Sequence, residues 1–189
     1  SLCGVESALA SGDPAALEQA IACHLMLHAW MLSQSGIPVL YSGDELGRLN
    51  DYTYHNDPAK AEDSRYLHRG NFQWDQAALC RDESTVPGRI FQSLRRLERI
   101  RGDQLVFRAD AQVTLPESGN RSVLALCRQY GEERLIALFN FSEHPQTALC
   151  PEEPLTDLVS GQQLDGGSLS LPGYGFLWLK PCGACPNPT

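Results

Sequence analysis

A short apolar segment constrains the fold of this chain more than any other. It is bounded by glycines and has the sequence GIPVLYSG (residues 36–43). Because polar residues do not alternate with apolar ones within it, the segment predicts a strand covered on both faces, as in a parallel sheet. Pro38 lies near its start and removes only one ladder donor. Such a strand needs neighbouring elements on both of its faces.

Two helices are predicted around this strand. The first covers residues 12–35, where Asp13 and Pro14 form a start signal and apolar residues occupy most of the surface. The second covers about residues 87–101 and ends at Gly102. One helix–strand–loop–helix block cannot cover a parallel strand on both faces, and the chain begins without an initiator Met or a targeting segment. We therefore expect it to be part of a longer protein.

After the second helix the hydrophobic period changes from helical to strand-like. Strands are predicted at residues 105–108, 112–115, 122–129, 134–141, 155–158, 168–171 and 176–179. Short strands at this spacing are typical of a small antiparallel sandwich. The predicted domains are residues 1–103, a β-sandwich over residues 104–180, and a flexible tail at residues 181–189.

Charge and composition exclude some classes of function. Lys and Arg number 15 against 23 Asp and Glu, and the resulting charge of −8 repels phosphate backbones and anionic membrane surfaces. No apolar run approaches the roughly 18 residues that cross a bilayer. We therefore expect no nucleic-acid and no membrane partner. Seven cysteines, an odd number, do not suggest a disulfide framework, and free thiols favour a cytoplasmic location.

Three stretches resemble one family of enzymes. The sequence GIPVLYSGDELG (residues 36–47) is similar to the eighth-strand signature of the α-amylase superfamily, glycoside hydrolase family 13. LND (49–51) with EDSRYLHR (62–69) resembles the loop after strand eight of amylosucrases. NFSEHPQT (140–147) resembles a run in the C-terminal domain of the same enzymes. The resemblance covers nearly the whole chain up to Leu179.

This resemblance implies a fold of the α/β plus all-β class. Residues 1–103 would be the C-terminal fragment of a (β/α)8 TIM-type barrel, with helix 7, strand 8, loop 8 and helix 8. Residues 104–180 would be the small antiparallel β-sandwich that caps this barrel.

The resemblance also implies an activity. Amylosucrases are bacterial enzymes that cleave sucrose and transfer the glucosyl unit to an α-1,4-glucan by a retaining double displacement. Their catalytic carboxylates follow strands four, five and seven, so none is expected in this fragment, which is predicted to be inactive alone. The missing N-terminal barrel portion is the implied protein partner, and sucrose and α-glucan are the implied sugar partners. No cofactor and no metal are implied.

Arg65, Asp63 and Trp74 are the candidate substrate-binding residues, and all three lie in the long polar loop at residues 44–86. Arg65 matches the amylosucrase arginine that pairs with an aspartate to close the glucosyl subsite. A guanidinium can hold a carboxylate with two parallel hydrogen bonds and keep donors for sugar hydroxyls. That partner aspartate is expected outside this chain. Trp74 is the loop aromatic best suited to stack on a sugar ring, whereas the other loop aromatics are predicted to fix the loop by packing.

Two further pairs of residues admit two interpretations. Asp44 and Glu45 could be a catalytic pair with split pKa values, although the resemblance implies that the glutamate supports the barrel mouth. His24 and His28 have zinc-like spacing on one helix, but the general-base glutamate of the zinc-protease motif is absent between them. We predict a pair of buried or interface histidines there.

Other functions stay open at this point. The protein could be a sucrose hydrolase or another α-amylase-family glycosidase. The β unit could instead be a non-catalytic carbohydrate-binding or structural module, although Trp178 alternates with leucines and is predicted to lie in the core. Cys182 and Cys185 resemble a redox or metal pair, but no following helix would lower a thiol pKa, which favours an ordinary tail.

Overall fold

The computed structural model describes residues 2–182, which form two compact units. The first unit contains the residues up to 24 together with residues 39–94. The second contains residues 25–38 and the residues from 95 onward. Cys185 and the rest of the predicted tail after Cys182 lie outside the described residues.

Four α-helices are present in the described chain. They are α1 (Val5–Ser11), α2 (Pro14–Leu32), α3 (Trp74–Ala77) and α4 (Val86–Asp103). The helices α2 and α4 confirm the two predicted helices, whereas α1 and α3 were not predicted. The start signal acts as expected, because the Asp13 carboxylate accepts a hydrogen bond from the Ala15 N–H at 2.9 Å.

An apolar cluster in the first unit joins α1 to the first half of α2. Its buried members are Val5, Ala8 and Ala20. Partly buried apolar residues pack against these three: Ala16, Leu17, Leu49 and Val86. Gly12 ends α1 in the left-handed region, with φ +67°, so the chain reverses between the two helices within a few residues.

The acidic loop of the first unit is built from short turns that aspartates cap. Its 3-10 helices are Asp44–Leu46, Tyr52–Asn56 and Ser64–His68. Asp51, Asp57 and Asp63 each accept a hydrogen bond from the backbone N–H two residues later, at 2.9 to 3.0 Å. Many of the carboxylates in this loop therefore have a local structural role.

The predicted strand at residues 37–42 is not formed. The segment is extended, and Ile37, Val39 and Tyr41 are 88%, 77% and 53% exposed. A strand is completed by hydrogen bonds to a neighbouring strand, and no strand of the described chain pairs with this segment. The prediction is therefore wrong for the chain as the structure describes it.

The second unit contains an antiparallel sheet structure. Its strands are β1 (Gln112–Thr114), β2 (Val123–Tyr130), β3 (Glu133–Asn140), β4 (Gln146–Leu149), β5 (Leu155–Asp157), β6 (Gln163–Leu164), β7 (Ser168–Leu171) and β8 (Phe176–Pro181). One sheet has the order β1-β2-β3-β8-β5-β6, and β4 pairs with β7 in a second sheet. All of these pairs are antiparallel, as predicted.

The strand predictions differ from the structure at a few places. Residues Leu105–Phe107 form a 3-10 helix instead of a strand, and Val106 and Phe107 are buried in it. The short strands β4 and β6 were not predicted, and β8 continues to Pro181, the first residue of the predicted tail. Short apolar runs do not distinguish a strand from a buried turn, which explains the error at Leu105–Phe107.

The core of the second unit lies between its two sheets. A cluster of buried residues joins them: Val123, Ala125, Ile136, Leu138, Ala148, Leu155, Leu171 and Leu179. Trp178 is fully buried, as predicted, and its ring lies 4.8 Å from the ring of Phe107. The tryptophan of the sandwich therefore offers no surface on which a sugar could stack.

Arg128 is also fully buried in this unit. It donates three hydrogen bonds to main-chain carbonyl oxygens, those of Val106 at 2.6 Å, Ser33 at 2.8 Å and Arg108 at 2.7 Å. One side chain thus satisfies carbonyl groups of two separate segments of the unit, the residue after α2 and the turn at residues 106–108.

Candidate functional site

A polar cavity of about 340 Å³ lies in the first unit, where the exposed segment leads into the acidic loop. Its polar wall consists of Tyr41, Ser42, Asp44, Arg48, Asn50 and His68, and Leu2 and Leu49 complete the lining. Because polar groups from separate stretches of chain converge on one concavity, it is a candidate binding site.

The turn that carries Asp44 is held from two sides. Glu45 accepts a hydrogen bond from the Gly43 N–H at 2.7 Å, and the His24 Nε2 donates to the Asp44 carbonyl oxygen at 2.9 Å. Gly43 has φ +102°, and a Cβ atom there would lie 2.7 Å from the Cδ of Arg48. Glu45 is thus engaged with the backbone, which favours its supporting role over a catalytic pair. Of the two predicted histidines, His24 is buried, whereas His28 is only partly buried.

Arg48 lies in the wall of the cavity. Its Nη2 atom is buried and has no hydrogen-bond partner among the described residues. A Cβ atom at Gly70 would lie 2.7 Å from this nitrogen, so a larger residue there would require the Arg48 side chain to shift. The positive charge of Arg48 contributes to the lowered pKa of Asp51, although the hydrogen bond from Thr53 is the larger cause. Arg48 thus lines the cavity while one of its guanidinium nitrogens is buried and unsatisfied.

The stretches of chain that form the cavity are joined by hydrogen bonds to main-chain carbonyl oxygens. The Asp51 N–H donates to the Leu67 carbonyl oxygen at 2.8 Å, and the Tyr41 hydroxyl donates to the His68 carbonyl oxygen at 3.3 Å. These contacts bring together two of the sequence runs that carry the resemblance. The sequence prediction did not identify Arg48, Asn50 or His68 as site residues. They lie together only because the loop folds back so that residues near 67 contact residues near 51.

The structure pairs Arg65 with Asp63. The Nε atom of Arg65 lies 2.7 Å from Oδ1 and its Nη2 lies 2.6 Å from Oδ2, which is a bidentate ion pair. The hydrogen bond from the Arg65 side chain lowers the pKa of Asp63 to about 2. The arginine side chain is 69% exposed, and its Nη1 donates no hydrogen bond within the described part of the chain. Two donors on that nitrogen therefore point to solvent.

Trp74 begins the short helix α3 and is 78% exposed. The ring of Phe72 contacts it edge to face at 4.8 Å, which leaves much of the indole accessible. Tyr54, by contrast, is buried, and Tyr66 and Phe72 are partly buried, as the prediction of loop packing requires. Tyr52 is 56% exposed, so the prediction is wrong for this residue. The structure brings Arg65 and Asp63 together, but none of the three predicted substrate-binding residues lines the cavity described above.

Residues 2–182 contain neither a cluster of metal-ligating side chains nor a helix that could span a membrane. No group of three or more His, Cys, Asp and Glu side chains in this part of the chain is arranged to hold a metal ion. None of the helices in the same range has the length and apolar character to cross a membrane.

Comparison with known proteins finds a distant relative. No protein-family model matches the chain. Glucosylglycerate phosphorylase of Escherichia coli strain K12 is 27% identical over 165 residues, which are 86% of this chain and 29% of that protein. The chain thus spans less than a third of the length of this relative.

Several solved structures share the fold. AmyP in complex with maltose matches with a TM-score of 0.67 at 16% identity, over 88% of this chain and 36% of that one. The trehalulose synthase MutB from Pseudomonas mesoacidophila MX-45 matches with a TM-score of 0.64 at 20% identity, over 84% of this chain and 38% of that one. A MutB variant in complex with its substrate sucrose matches with a TM-score of 0.63 at 19% identity, over the same shares of the two chains. These neighbours are α-amylase-family enzymes, and the likeness at these identities shows a common fold.

Proposed function

We propose that this chain is the C-terminal portion of an amylosucrase-like enzyme that cleaves sucrose and transfers the glucosyl unit to an α-1,4-glucan. The observation that carries the proposal is the common fold with MutB, a neighbour whose substrate is sucrose. The run EDSRYLHR at residues 62–69 supports the narrower assignment, because it resembles the amylosucrase loop. The 189-residue chain alone is expected to release no fructose from sucrose.

Within this proposal the acidic loop forms one side of the glucosyl pocket. The two free donors on the Arg65 Nη1 would bind sugar hydroxyls, while Asp63 fixes the plane of the guanidinium. The exposed indole of Trp74 would stack on a sugar ring. The catalytic carboxylates, which a retaining enzyme places about 5 Å apart, would come from the portion of the barrel that precedes this chain.

The test uses the longer protein. We expect Arg65→Ala to lower kcat/KM for sucrose roughly tenfold or more, since a hydrogen bond to a charged group contributes about 1.5–3 kcal/mol. Fructose release measures the rate, and Arg81→Ala is the matched control, because Arg81 is exposed and lies outside the resembling runs. Unchanged kinetics in the Arg65 variant would remove this residue from the site.

A second candidate function, phosphorolysis of a glucoside, is favoured by Arg48. The curated relative is a phosphorylase by name, and a phosphorylase has to bind phosphate. The buried Nη2 atom of Arg48 has no hydrogen-bond partner among the described residues, and the arginine faces the polar cavity. Guanidinium groups bind phosphate oxygens well.

One assay separates these candidates. The longer protein is incubated with sucrose, or with glucosylglycerate, in the presence and absence of inorganic phosphate. Glucan formed without phosphate supports the amylosucrase-like function, and glucose released in its place indicates a sucrose hydrolase. Glucose 1-phosphate formed only when phosphate is added supports phosphorolysis instead. Loss of that product in Arg48→Gln would assign the phosphate to the cavity.

A further inference from the structure

The exposed aromatic side chains of the second unit contact each other. Among the described residues of this unit, the exposed aromatic residues are Trp30 and Phe141, at 37% and 43%. Their rings lie edge to face, with the centroids 5.9 Å apart and the planes at 82°. Trp30 lies in the last turn of α2 and Phe141 directly follows β3, so two segments that are distant in the sequence build one aromatic surface.

A buried asparagine closes the turn that carries Phe141. Asn140 is fully buried, and its Nδ2 atom donates to the carbonyl oxygens of His144 and Pro172, each at 2.8 Å. Its Oδ1 atom accepts a hydrogen bond from the Ser142 N–H at 2.9 Å. This part of the resembling run therefore holds Phe141 in place while its ring stays exposed.

The end of α2 holds Trp30 in a similar way. The neighbouring Ala29 is fully buried, and the Leu32 carbonyl oxygen accepts a hydrogen bond from the Nη1 atom of Arg101 at 2.6 Å. The Nε2 atom of Gln34 donates to the Trp30 carbonyl oxygen at 3.0 Å. Because both rings stand on anchored segments, a ligand that binds to them loses little affinity to the ordering of the protein.

We propose that Trp30 and Phe141 form a surface binding site for an α-1,4-glucan. The choice of this ligand rests on the proposed function, in which the longer protein uses an α-1,4-glucan as the acceptor. An aromatic ring is a rigid apolar platform, and the C–H face of a pyranose packs on it. The net charge of −8 disfavours polyanionic ligands, which makes a neutral polymer the better partner.

The angle between the two rings favours the α linkage. Successive glucose rings of an α-1,4-glucan are tilted because the chain is curved, whereas those of a β-1,4-glucan form a flat ribbon. Two ring planes at 82° can each meet one glucose of a curved chain, but only one of them can lie against a flat ribbon. The side chains of Glu143 and His144 are exposed in the turn after Phe141, and both can form hydrogen bonds with hydroxyl groups.

The experiment is an NMR titration of the 189-residue chain with maltoheptaose. We expect the indole N–H resonance of Trp30, which is identified by its absence in Trp30→Phe, to shift to saturation. Cellohexaose, the β-1,4 comparison, should bind at least roughly tenfold more weakly, as expected for the loss of one stacked ring. Since this chain is expected to be inactive on sucrose, a failed titration leaves the test of sucrose cleavage in the longer protein untouched.

Substitutions on the two segments complete the test. Trp30→Ala and Phe141→Ala should each weaken maltoheptaose binding at least roughly tenfold, read from the amide resonances of residues 141–144 in the first variant and from the Trp30 indole in the second. Trp30→Phe keeps an aromatic ring and should bind within roughly threefold of the native chain. Leu149→Ala, which shortens another exposed apolar side chain of the same unit, should leave the affinity unchanged.

Thermal unfolding shows which of these variants are folded, and either alanine variant is sufficient if the other fails to fold. The proposal is overturned if the Trp30 indole shows no saturable shift, or if a folded alanine variant binds maltoheptaose as well as the native chain. Equal affinity for cellohexaose would overturn it as well.

Discussion

At the scale of single residues, the pKa of Asp63 reports on the contact between Asp63 and Arg65. The hydrogen bond from the Arg65 side chain is the largest cause that lowers the pKa of Asp63 from 3.8 to about 2. A carboxyl group with a depressed pKa favours the folded loop above its ordinary value of 3.8, and this contribution is lost as the pH falls through about 2. In Arg65→Gln we expect the pKa of Asp63 to rise towards 3.8.

The measurement is the titration of side-chain carboxyl carbons by NMR. Asp57 is the internal control, because its pKa is lowered by Lys60 and by the Ala59 N–H, neither of which the variant changes. A titration of Asp63 that stays near 2 in Arg65→Gln would show that the backbone N–H of residue 65 is sufficient, and the ion pair would then have no measurable effect on this carboxyl group.

The buried side chain of Arg128 should contribute strongly to stability. Arg128→Met removes the donors of three carbonyl oxygens and leaves these acceptors without partners inside the second unit. Since an unsatisfied buried group costs about 1–3 kcal/mol, we expect the free energy of unfolding to fall by about 3 kcal/mol or more. Unfolding in urea measures it, with Arg121→Met as a control at an exposed position. A loss no larger than in this control would contradict the structural role.

At the scale of secondary structure elements, α4 contains a matched pair of glycines. A Cβ atom at Gly88 would overlap the Asp82 carbonyl oxygen, whereas one at Gly102 would have no atom within 4 Å. Alanine is the better helix former by about 1 kcal/mol, so propensity alone predicts that both substitutions stabilise. We therefore expect Gly102→Ala to raise the free energy of unfolding. Gly88→Ala should lower it by about 1–3 kcal/mol, because the turn before α4 must move.

Calorimetry or urea unfolding measures both variants under the same conditions. If Gly88→Ala were as stable as Gly102→Ala, the close approach of the turn at residue 82 to α4 would not exist in solution. Of these two glycines, only Gly88 lies against main-chain atoms of that turn, so the difference between the two variants measures this contact apart from helix propensity.

Elements with strong local signals were predictable from the sequence. The start signal and apolar spacing of α2 and α4 identified both helices, and the strand-like hydrophobic pattern after α4 identified β2 and β3. The segment at residues 37–42 has equally clear strand character, yet it forms no strand, because ladder hydrogen bonds depend on a neighbour. Local pattern determines what an element can become, and pairing determines whether it forms.

The same distinction applies to the candidate site. Asp63 and Arg65 are two residues apart, so a resemblance in one short run could identify their pair. Arg48 and His68 are twenty positions apart in a loop without periodicity, and they line one cavity only because the Asp51 and Leu67 backbones meet. Residues that are distant in sequence and meet only because the chain folds back on itself produce no local sequence pattern from which their contact could be predicted.

At the scale of the whole molecule, the exposed segment at residues 37–42 tests whether the chain is part of a barrel. Val39 is 77% exposed in this chain, so Val39→Lys should change its free energy of unfolding by less than about 0.5 kcal/mol. In the longer protein the same residue would lie in a strand covered on both faces. There we expect the lysine to cost about 2 kcal/mol or more, since it would bury a charge without a partner.

The two contexts make this prediction decisive. Thermal unfolding of the 189-residue chain and of the longer protein is compared for Val39→Lys and for Leu115→Lys, a control at a similarly exposed leucine of the second unit. Both substitutions should be nearly neutral in the short chain, and only Val39→Lys should destabilise the longer protein. If Val39→Lys were neutral in both, residue 39 would be exposed in both, and residues 37–42 would not be the closing strand of a barrel. The proposed place of the acidic loop beside a glucosyl pocket would then fail as well, because that loop reaches the pocket only as the continuation of such a strand.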